Sequence, residues 1–279
     1  MKKSILILAL IALSLAFAIK DVLAGPPLTN LEGVGGIAFN PLAYPADSDG
    51  DNSHVTAGGV DVVGKPRFGA WYVNLDHVKV DWTAIGVADT FFKRLETSYG
   101  FETINQDNAT AKHKNNLGAK FLVLPENSFD TKFLPAVSVG TIYKHTSNIG
   151  AGTHSSGEDY YAVATKLITQ LPQPVLLSGG ILSTNSRTTG VFGYDNKRKL
   201  TGFGNIDVVL PKGFITGFEY KQGAHYPTWK DADYWDAHLA WTPTKSLTLV
   251  GAYVNAGDQK SASKVGLGDG VVFSAQYAF

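Results

Sequence analysis

From Arg67 to the C-terminus, apolar and polar residues alternate in segments of about ten residues that are rich in aromatics, Val and Thr and separated by polar or glycine-rich breaks. A period of two over such lengths marks a strand with two unlike faces. Strands are predicted at 67–74, 78–88, 92–104, 116–124, 134–144, 159–168, 174–184, 200–210, 213–221, 233–242, 247–255 and 270–279, twelve in all. An even number of strands of this length, with short turns at one end and long loops at the other, is the pattern of a bacterial membrane barrel. The short connections are 88–91, 170–174, 211–212 and 242–246, with 125–133 the longest of them. Between these fall the long ones, 105–115, 145–158, 185–199, 222–232 and 256–269, while the tight connection at 74–77 breaks the rule. The expected fold is all-β: a transmembrane, antiparallel, up-and-down β-barrel of about twelve strands over 67–279, with both ends at the periplasmic rim.

The alternation also assigns faces. Val271, Phe273, Ala275, Tyr277 and Phe279 oppose Val272, Ser274, Gln276 and Ala278, and Trp235, Ala237, Leu239 and Trp241 oppose Tyr234, Asp236, His238 and Ala240. Leu95, Thr97, Tyr99 and Phe101 oppose Arg94, Glu96, Ser98, Gly100 and Glu102, so charges take the lumen side and aromatics the lipid side. A water-soluble β-sandwich would turn the same aromatic face inward, and the alternation alone does not separate the two.

The start of the chain and its composition favour the barrel. Lys2 and Lys3 precede an apolar run over 5–18, followed by small residues at Ala16-Phe17-Ala18 and Val22-Leu23-Ala24, the layout of a secretory signal peptide. Cleavage after Ala24 is favoured, giving a signal peptide over 1–24, because Gly25-Pro26-Pro27 then opens an extended mature end. The run is shorter than the roughly 20 residues a helical bilayer span needs. Cys is absent, which removes disulfides, thiolate metal sites and Cys nucleophiles and suits an oxidising compartment. Lys plus Arg equals Asp plus Glu at 24 each, leaving no basic excess for nucleic acid. The Gly-rich segment 25–66 precedes the first strand, and its apolar stretch 33–42 is expected either to enter the barrel mouth from the periplasm or to add a strand. Asp47, Asp49 and Asp51 invite a calcium reading, but no Glu closes the loop, so an acidic solvated loop is expected.

The last ten residues, Gly270-Val-Val-Phe-Ser-Ala-Gln-Tyr-Ala-Phe279, resemble the C-terminal signal of outer-membrane barrels. That resemblance implies an outer-membrane location and recognition of Phe273, Tyr277 and Phe279 by the barrel-assembly machinery. A wider resemblance runs from about Leu28 to Phe279, on Leu31-Glu32-Gly33-Val34-Gly35-Gly36 with Asn40-Pro41-Leu42-Ala43, Arg94-Leu95-Glu96-Thr97-Ser98, Leu134-Pro135-Ala136-Val137-Ser138-Val139-Gly140 with Tyr143-Lys144, Asp159-Tyr160-Tyr161-Ala162-Val163-Ala164-Thr165-Lys166, and Asp233-Tyr234-Trp235-Asp236 with Ala240-Trp241 and Pro243. In these residues the chain is similar to the Gram-negative family Domain of Unknown Function 3034, which implies a barrel and no established activity.

Chemistry is sparse. A lipid hydrolase on such a barrel needs its nucleophile and an oriented base on the outer face. His238 lies on the predicted inner face beside Asp236, and the sequence shows no Ser and His pair on the outer face of neighbouring strands. His113, His145, His154 and His225 fall in predicted external loops without metal-site spacing, so no catalytic residue, metal or cofactor is expected. The inward set is richer: Arg94, Glu96, Glu102, Lys120, Lys144, Lys166, Asp207, Glu219, Lys221, Asp236 and His238, nearly balanced in sign. Ions inside a barrel must be solvated or paired, so this set means either a water-filled path or a lattice of salt bridges. The expected function is a narrow, porin-like passive channel for small solutes in the outer membrane, with outer-membrane lipid around it. The alternative is a non-conducting barrel with a structural or partner-binding role.

Overall fold

The computed structural model describes residues 28–46, 55–57, 60–76, 78–150, 153–257 and 264–279. The signal-peptide reading and the run Asp47, Asp49, Asp51 lie outside the described residues. Two short strands, β1 (Val55–Ala57) and β2 (Val60–Val63), precede twelve longer ones: β3 (Arg67–Leu75), β4 (Val80–Phe91), β5 (Leu95–Gln106), β6 (Lys112–Leu124), β7 (Ala136–Thr146), β8 (Ser156–Ile168), β9 (Val175–Ser186), β10 (Tyr194–Leu210), β11 (Phe214–Lys221), β12 (Tyr234–Trp241), β13 (Leu247–Asn255) and β14 (Asp269–Ala278). From β3 onward every strand pairs antiparallel with its sequence neighbour, and β14 returns to β3 in register from Gly270↔Leu75 to Ala278↔Arg67. The ring is therefore a closed up-and-down barrel of twelve strands. The hairpin of β1 and β2 extends the sheet at one bridge, Val63↔Phe91.

The strands match the alternation within two residues except at the starts of β5, β6, β8 and β10 and at the end of β4. β6 begins at Lys112 and β10 at Tyr194, both earlier than predicted, because 112–116 is polar on both faces and 195–198 lies in a register shift between Tyr194 and Lys199, so neither carries an apolar period. β5 begins at Leu95, later than predicted. Phe92 and Lys93 adopt left-handed φ of 53° and 58° in a tight turn, which an apolar Phe disguised as strand.

The burial pattern is inside out, and this decides between barrel and sandwich. Glu102 and Lys144 are 0% exposed, whereas Leu117 is 57% and Ile181 53% exposed on the outer wall. Apolar surface left in water forgoes about 25 cal/mol per Å², so a whole wall of it belongs in lipid. Toward the long-loop end, the outward hydroxyls of Tyr72, Tyr99, Tyr220 and Tyr253 donate to Asp81, Asn115, Asp233 and Asp269 at 2.6, 2.6, 2.8 and 2.8 Å. Such rings, apolar below and polar at the tip, form the interfacial girdle of a membrane barrel.

The lumen is filled by residues 28–46. The chain enters beside β14, where the Thr29 amide donates to Gln276 Oε1 at 2.6 Å. It then turns tightly: Asn30 Oδ1 accepts from the amides of Glu32 and Val34, both at 3.0 Å, and Gly33 takes φ of 86°. The wall beneath this turn is shaped for backbone. Gly86 and Gly100 face each other across β4 and β5; a Cβ on Gly86 would lie 2.6 Å from Gly33 Cα, and one on Gly100 would collide with Glu32 O. Leu31 packs with Trp71, Trp82 and Leu267 in one buried apolar cluster, and Val34 and Ala43 pack with Leu122, Tyr161 and Phe203 in another. Of the two expectations for the Gly-rich segment, its described part 28–46 enters the barrel, and the added strands lie beyond it at β1 and β2.

Candidate functional site

The plug is held by ions. Glu32 accepts from Lys114 Nζ at 2.7 Å and from Lys144, whose ammonium also reaches Asp159 at 2.6 Å; Lys114 reaches Glu102 at 2.9 Å. Lys221 borders the same small space as Glu32 and Asp159. Nearer the short-turn end, Glu96 Oε1 accepts from the Gly35 amide at 2.9 Å and Oε2 from the Ala46 amide at 2.7 Å, while Lys120 Nζ reaches Glu96 at 2.8 Å and donates to Gly35 O at 2.9 Å. Burying these charges is costly unless each is paired and its remaining hydrogen bonds are made, and here plug backbone supplies several of them.

The opposite wall holds the plug by a second carboxylate. Glu219 accepts from the amides of Phe39 at 2.7 Å and Asn40 at 3.0 Å, and Asn40 Nδ2 donates to Tyr220 O at 3.0 Å. Beside it, His238 spans two acids, with Nδ1 2.7 Å from Asp236 Oδ1 and Nε2 2.7 Å from Asp207 Oδ1. The register explains the geometry: Asp207, Gly217 and His238 stand in one row across β10, β11 and β12, and the missing side chain at Gly217 lets the outer two meet. Both imidazole nitrogens are thereby occupied, so His238 has no free lone pair with which to serve as a general base.

Of the residues predicted to face the lumen, Glu96, Glu102, Lys120, Lys144, Asp207, Glu219, Lys221, Asp236 and His238 point inward and are buried. Two do not. Arg94 lies exposed in the 92–94 turn and donates to Leu122 O at 3.3 Å, because the chain has already left the sheet there. Lys166 is on the outer face, pairing with Glu126 at 2.9 Å and Asn127 at 2.6 Å; in β8 the inward row is Asp159, Tyr161, Val163 and Thr165. Both rows of β8 carry apolar residues, so alternation alone left its hand open. Glu32, Lys114 and Asp159 were missed: the first lay outside the predicted strands, the second in a predicted loop, the third on the wrong face.

Phe273, Tyr277 and Phe279 all face outward, with Tyr277 and Phe279 rings edge to face at 5.1 Å. His113 and His145, expected in loops, sit in β6 and β7. A further correction is that the outer face does carry a Ser and His pair on neighbouring strands: His145 Nδ1 lies 2.9 Å from Ser156 Oγ, with Asn115 beside His145 in the register. Asn115 Oδ1 is taken by the Tyr99 hydroxyl, and no carboxylate orients the imidazole among the bonds of the described residues. Among the described residues no group of three or more His, Asp and Glu could hold a metal ion.

The two ends differ. At the long-loop end the connections roof the barrel: Asp231 accepts from the Thr188 amide at 2.9 Å and from Trp229 Nε1 at 2.6 Å, and Phe192 packs on Trp229 at 5.2 Å. Beneath the plug at the short-turn end a cavity of about 160 Å³ remains, walled by Ile37, Leu42, Trp71, Val209, Ile215 and Val250, with Arg67, Asp207 and His238 also at its surface.

The chain matches the family described as "Protein of unknown function (DUF3034)" over residues 26–269, and it belongs to that family. No curated protein matches it in sequence. Among solved structures it is similar to the NanC porin, at 12% identity and a TM-score of 0.49 over 77% of this chain and 98% of that one. It is also similar to outer membrane phospholipase A from Escherichia coli, at 11% identity, a TM-score of 0.38 and coverage of 78% and 98%. The outer membrane protein Omp33 of Acinetobacter baumannii gives 13% identity, a TM-score of 0.38 and coverage of 77% and 97%.

Proposed function

We propose that this member of the family is an outer-membrane barrel sealed at rest by its own N-terminal segment, with a structural or ligand-holding role in the envelope rather than standing permeability. One observation carries the reading: inward charges such as Glu102, Lys114 and Lys144 have no solvent exposure and are spent on the plug and on one another. A water-filled path would leave such groups solvated. The signal-peptide pattern and the outward Phe279 support export and assembly into the outer membrane.

The porin-like passive channel is the second reading, and the polar character of the plug's anchors favours it. Ion pairs and amide–carboxylate bonds can be exchanged for water, whereas a wholly apolar plug could not be withdrawn as readily. In that case solutes pass only after 28–46 has moved.

Planar-bilayer recording tests both. The wild-type chain is expected to give no steady unitary conductance. Gly100→Val, whose side chain occupies the place of Glu32 O, is expected to dislodge the plug and conduct. Stable, ion-selective steps from the wild type would overturn the sealed reading and leave the open channel.

A further inference from the structure

The inward row just below Asp207 and His238 is apolar. Register sets Val209, Ile215, Ala240 and Val250 side by side across β10 to β13, one inward step closer to the short turns than Asp207, Gly217 and His238. The plug faces this row with a tight turn of its own, closed by the Ile37 amide donating to Asn40 O at 3.0 Å and by the Gly36↔Pro41 bridge, and Ile37 and Leu42 line the space between. That space is the cavity of about 160 Å³. Packed interiors leave few voids larger than a water molecule, so a chamber of this size is not ordinary looseness. An apolar protein cavity of about 150 Å³ stays dry and takes up benzene.

The bonding of the walls selects the occupant. Among the described residues every polar side chain on the wall is already engaged. His238 lies between Asp207 and Asp236 at 2.7 Å from each, the Tyr44 hydroxyl donates to Glu126 at 2.7 Å, and Arg67 has a partner of its own. Trp71 Nε1 donates to Thr29 O at 3.0 Å and the Thr242 hydroxyl to Gly213 O at 2.8 Å. Glu126 in turn is matched by Lys166 at 2.9 Å and accepts from the Leu167 amide at 2.9 Å. An ion of either sign would shed its water here for walls that offer it no uncommitted side chain. A molecule with nothing to hydrogen-bond loses nothing on entry and gains the apolar contact.

We propose that the periplasm-facing half of the lumen binds one small neutral apolar molecule, a hydrocarbon of about the size of a benzene ring, between Ile37 and Leu42 of the plug and Val209, Ile215 and Val250 of the wall. The site rests on the sealed-barrel reading, because plug residues form one of its walls, and it gives the sealed lumen a ligand class.

Trp71 on the cavity wall is the reporter. Purified full-length chain is titrated with bromobenzene, whose bromine quenches indole fluorescence at short range, and the component missing from Trp71→Phe is read. The expected result is saturable quenching of that component, abolished when Ala240→Phe fills the chamber; Val209→Phe serves if that variant does not fold. Benzene should displace bromobenzene, whereas benzoate and benzylammonium should compete about tenfold more weakly or not at all, since each would bury an unpaired charge. Linear quenching that is equal in wild type and filled variants is partition into the surrounding amphiphile, and it overturns the site. Saturable binding for which benzoate or benzylammonium competes as well as benzene overturns the neutral class. Neither outcome alters the bilayer recording, so failure of the site and failure of the sealed reading are read separately.

Discussion

Glu32→Gln is the sharpest perturbation of the plug, since it removes one charge and almost no volume. In the native interior three carboxylates, Glu32, Glu102 and Asp159, share a compact region with three ammoniums, Lys114, Lys144 and Lys221. The amide leaves one positive charge uncompensated and replaces a two-cation acceptor by a neutral oxygen and an NH₂ that faces donors. Breaking a buried ion pair from one side costs about 3–5 kcal/mol. Lys114 keeps Glu102 at 2.9 Å and Lys144 keeps Asp159 at 2.6 Å, so the low end applies, about 3 kcal/mol. For a chain of this size 1 kcal/mol moves Tm by roughly 2–4 °C, which gives a fall of roughly 6–12 °C. Heat-dependent electrophoretic migration reads the loss, and bilayer recording of the same preparation reads whether the weakened plug also leaks. Adding Lys221→Met should recover part of the stability, because charge balance returns while Glu102 keeps Lys114 and Asp159 keeps Lys144. A Tm within about 1 °C of wild type, with no recovery in the double variant, would refute the claim that this cluster anchors the plug.

Three further outcomes follow from the placement of single residues. Leu239 faces lipid in the body of β12, so Leu239→Arg should cost about 2–4 kcal/mol and lower the folded yield in vesicles, whereas Leu239→Phe should fold as wild type; equal yields would mean that the faces are misassigned. Deletion of Phe279, the outward residue next to the β14–β3 seam, should leave the chain in the periplasm or degraded, and normal heat-modifiable outer-membrane yield would count against its assembly role. The Ser156 and His145 pair has no orienting group among the described residues, so a fluorophosphonate probe should not label the purified chain; labelling lost in Ser156→Ala would establish a nucleophile on the lipid-facing wall.

Barrel and strand order were legible because one physical fact repeats along the chain. A strand with lipid on one side and an interior on the other must alternate, and β12 and β14 do so at nearly every position. Legibility failed where that contrast lapses. Residues 112–116 at the start of β6 are polar on both faces, so their pairing leaves no period, and residues 195–198 of β10 stand outside the ladder in a register shift between Tyr194 and Lys199. β8 has the reverse defect: Tyr161 and Val163 face inward because the plug gives them something apolar to touch, so its inner row resembles its outer one. A filled lumen thus erases the signal by which a strand's inner face is recognised.

The same point explains why the site was half visible. Glu96, Glu102, Lys120 and Lys144 announced themselves as charges at inward positions, which permits a water-filled path or a salt-bridge lattice equally well. The deciding partner, Glu32, lies in a segment that has neither helical nor strand period, and that segment's role depends on contacts to residues 61 to 179 positions away, from Glu96 at Gly35 to Glu219 at Asn40. Local pattern carries no information at that range. The glycines do carry some. Gly86 and Gly100 interrupt strands that have no turn or bulge there, and their absent side chains face Gly33 and Glu32 of the plug. In a lumen meant to conduct, a glycine pair widens the bore; under a buried backbone it is a seat, and the two cases separate only when the sequence elsewhere offers a segment flat enough to lie in it. Here the run Leu31-Glu32-Gly33-Val34-Gly35-Gly36 is such a segment, small on its barrel-facing side and charged once, at the position where two lysines wait.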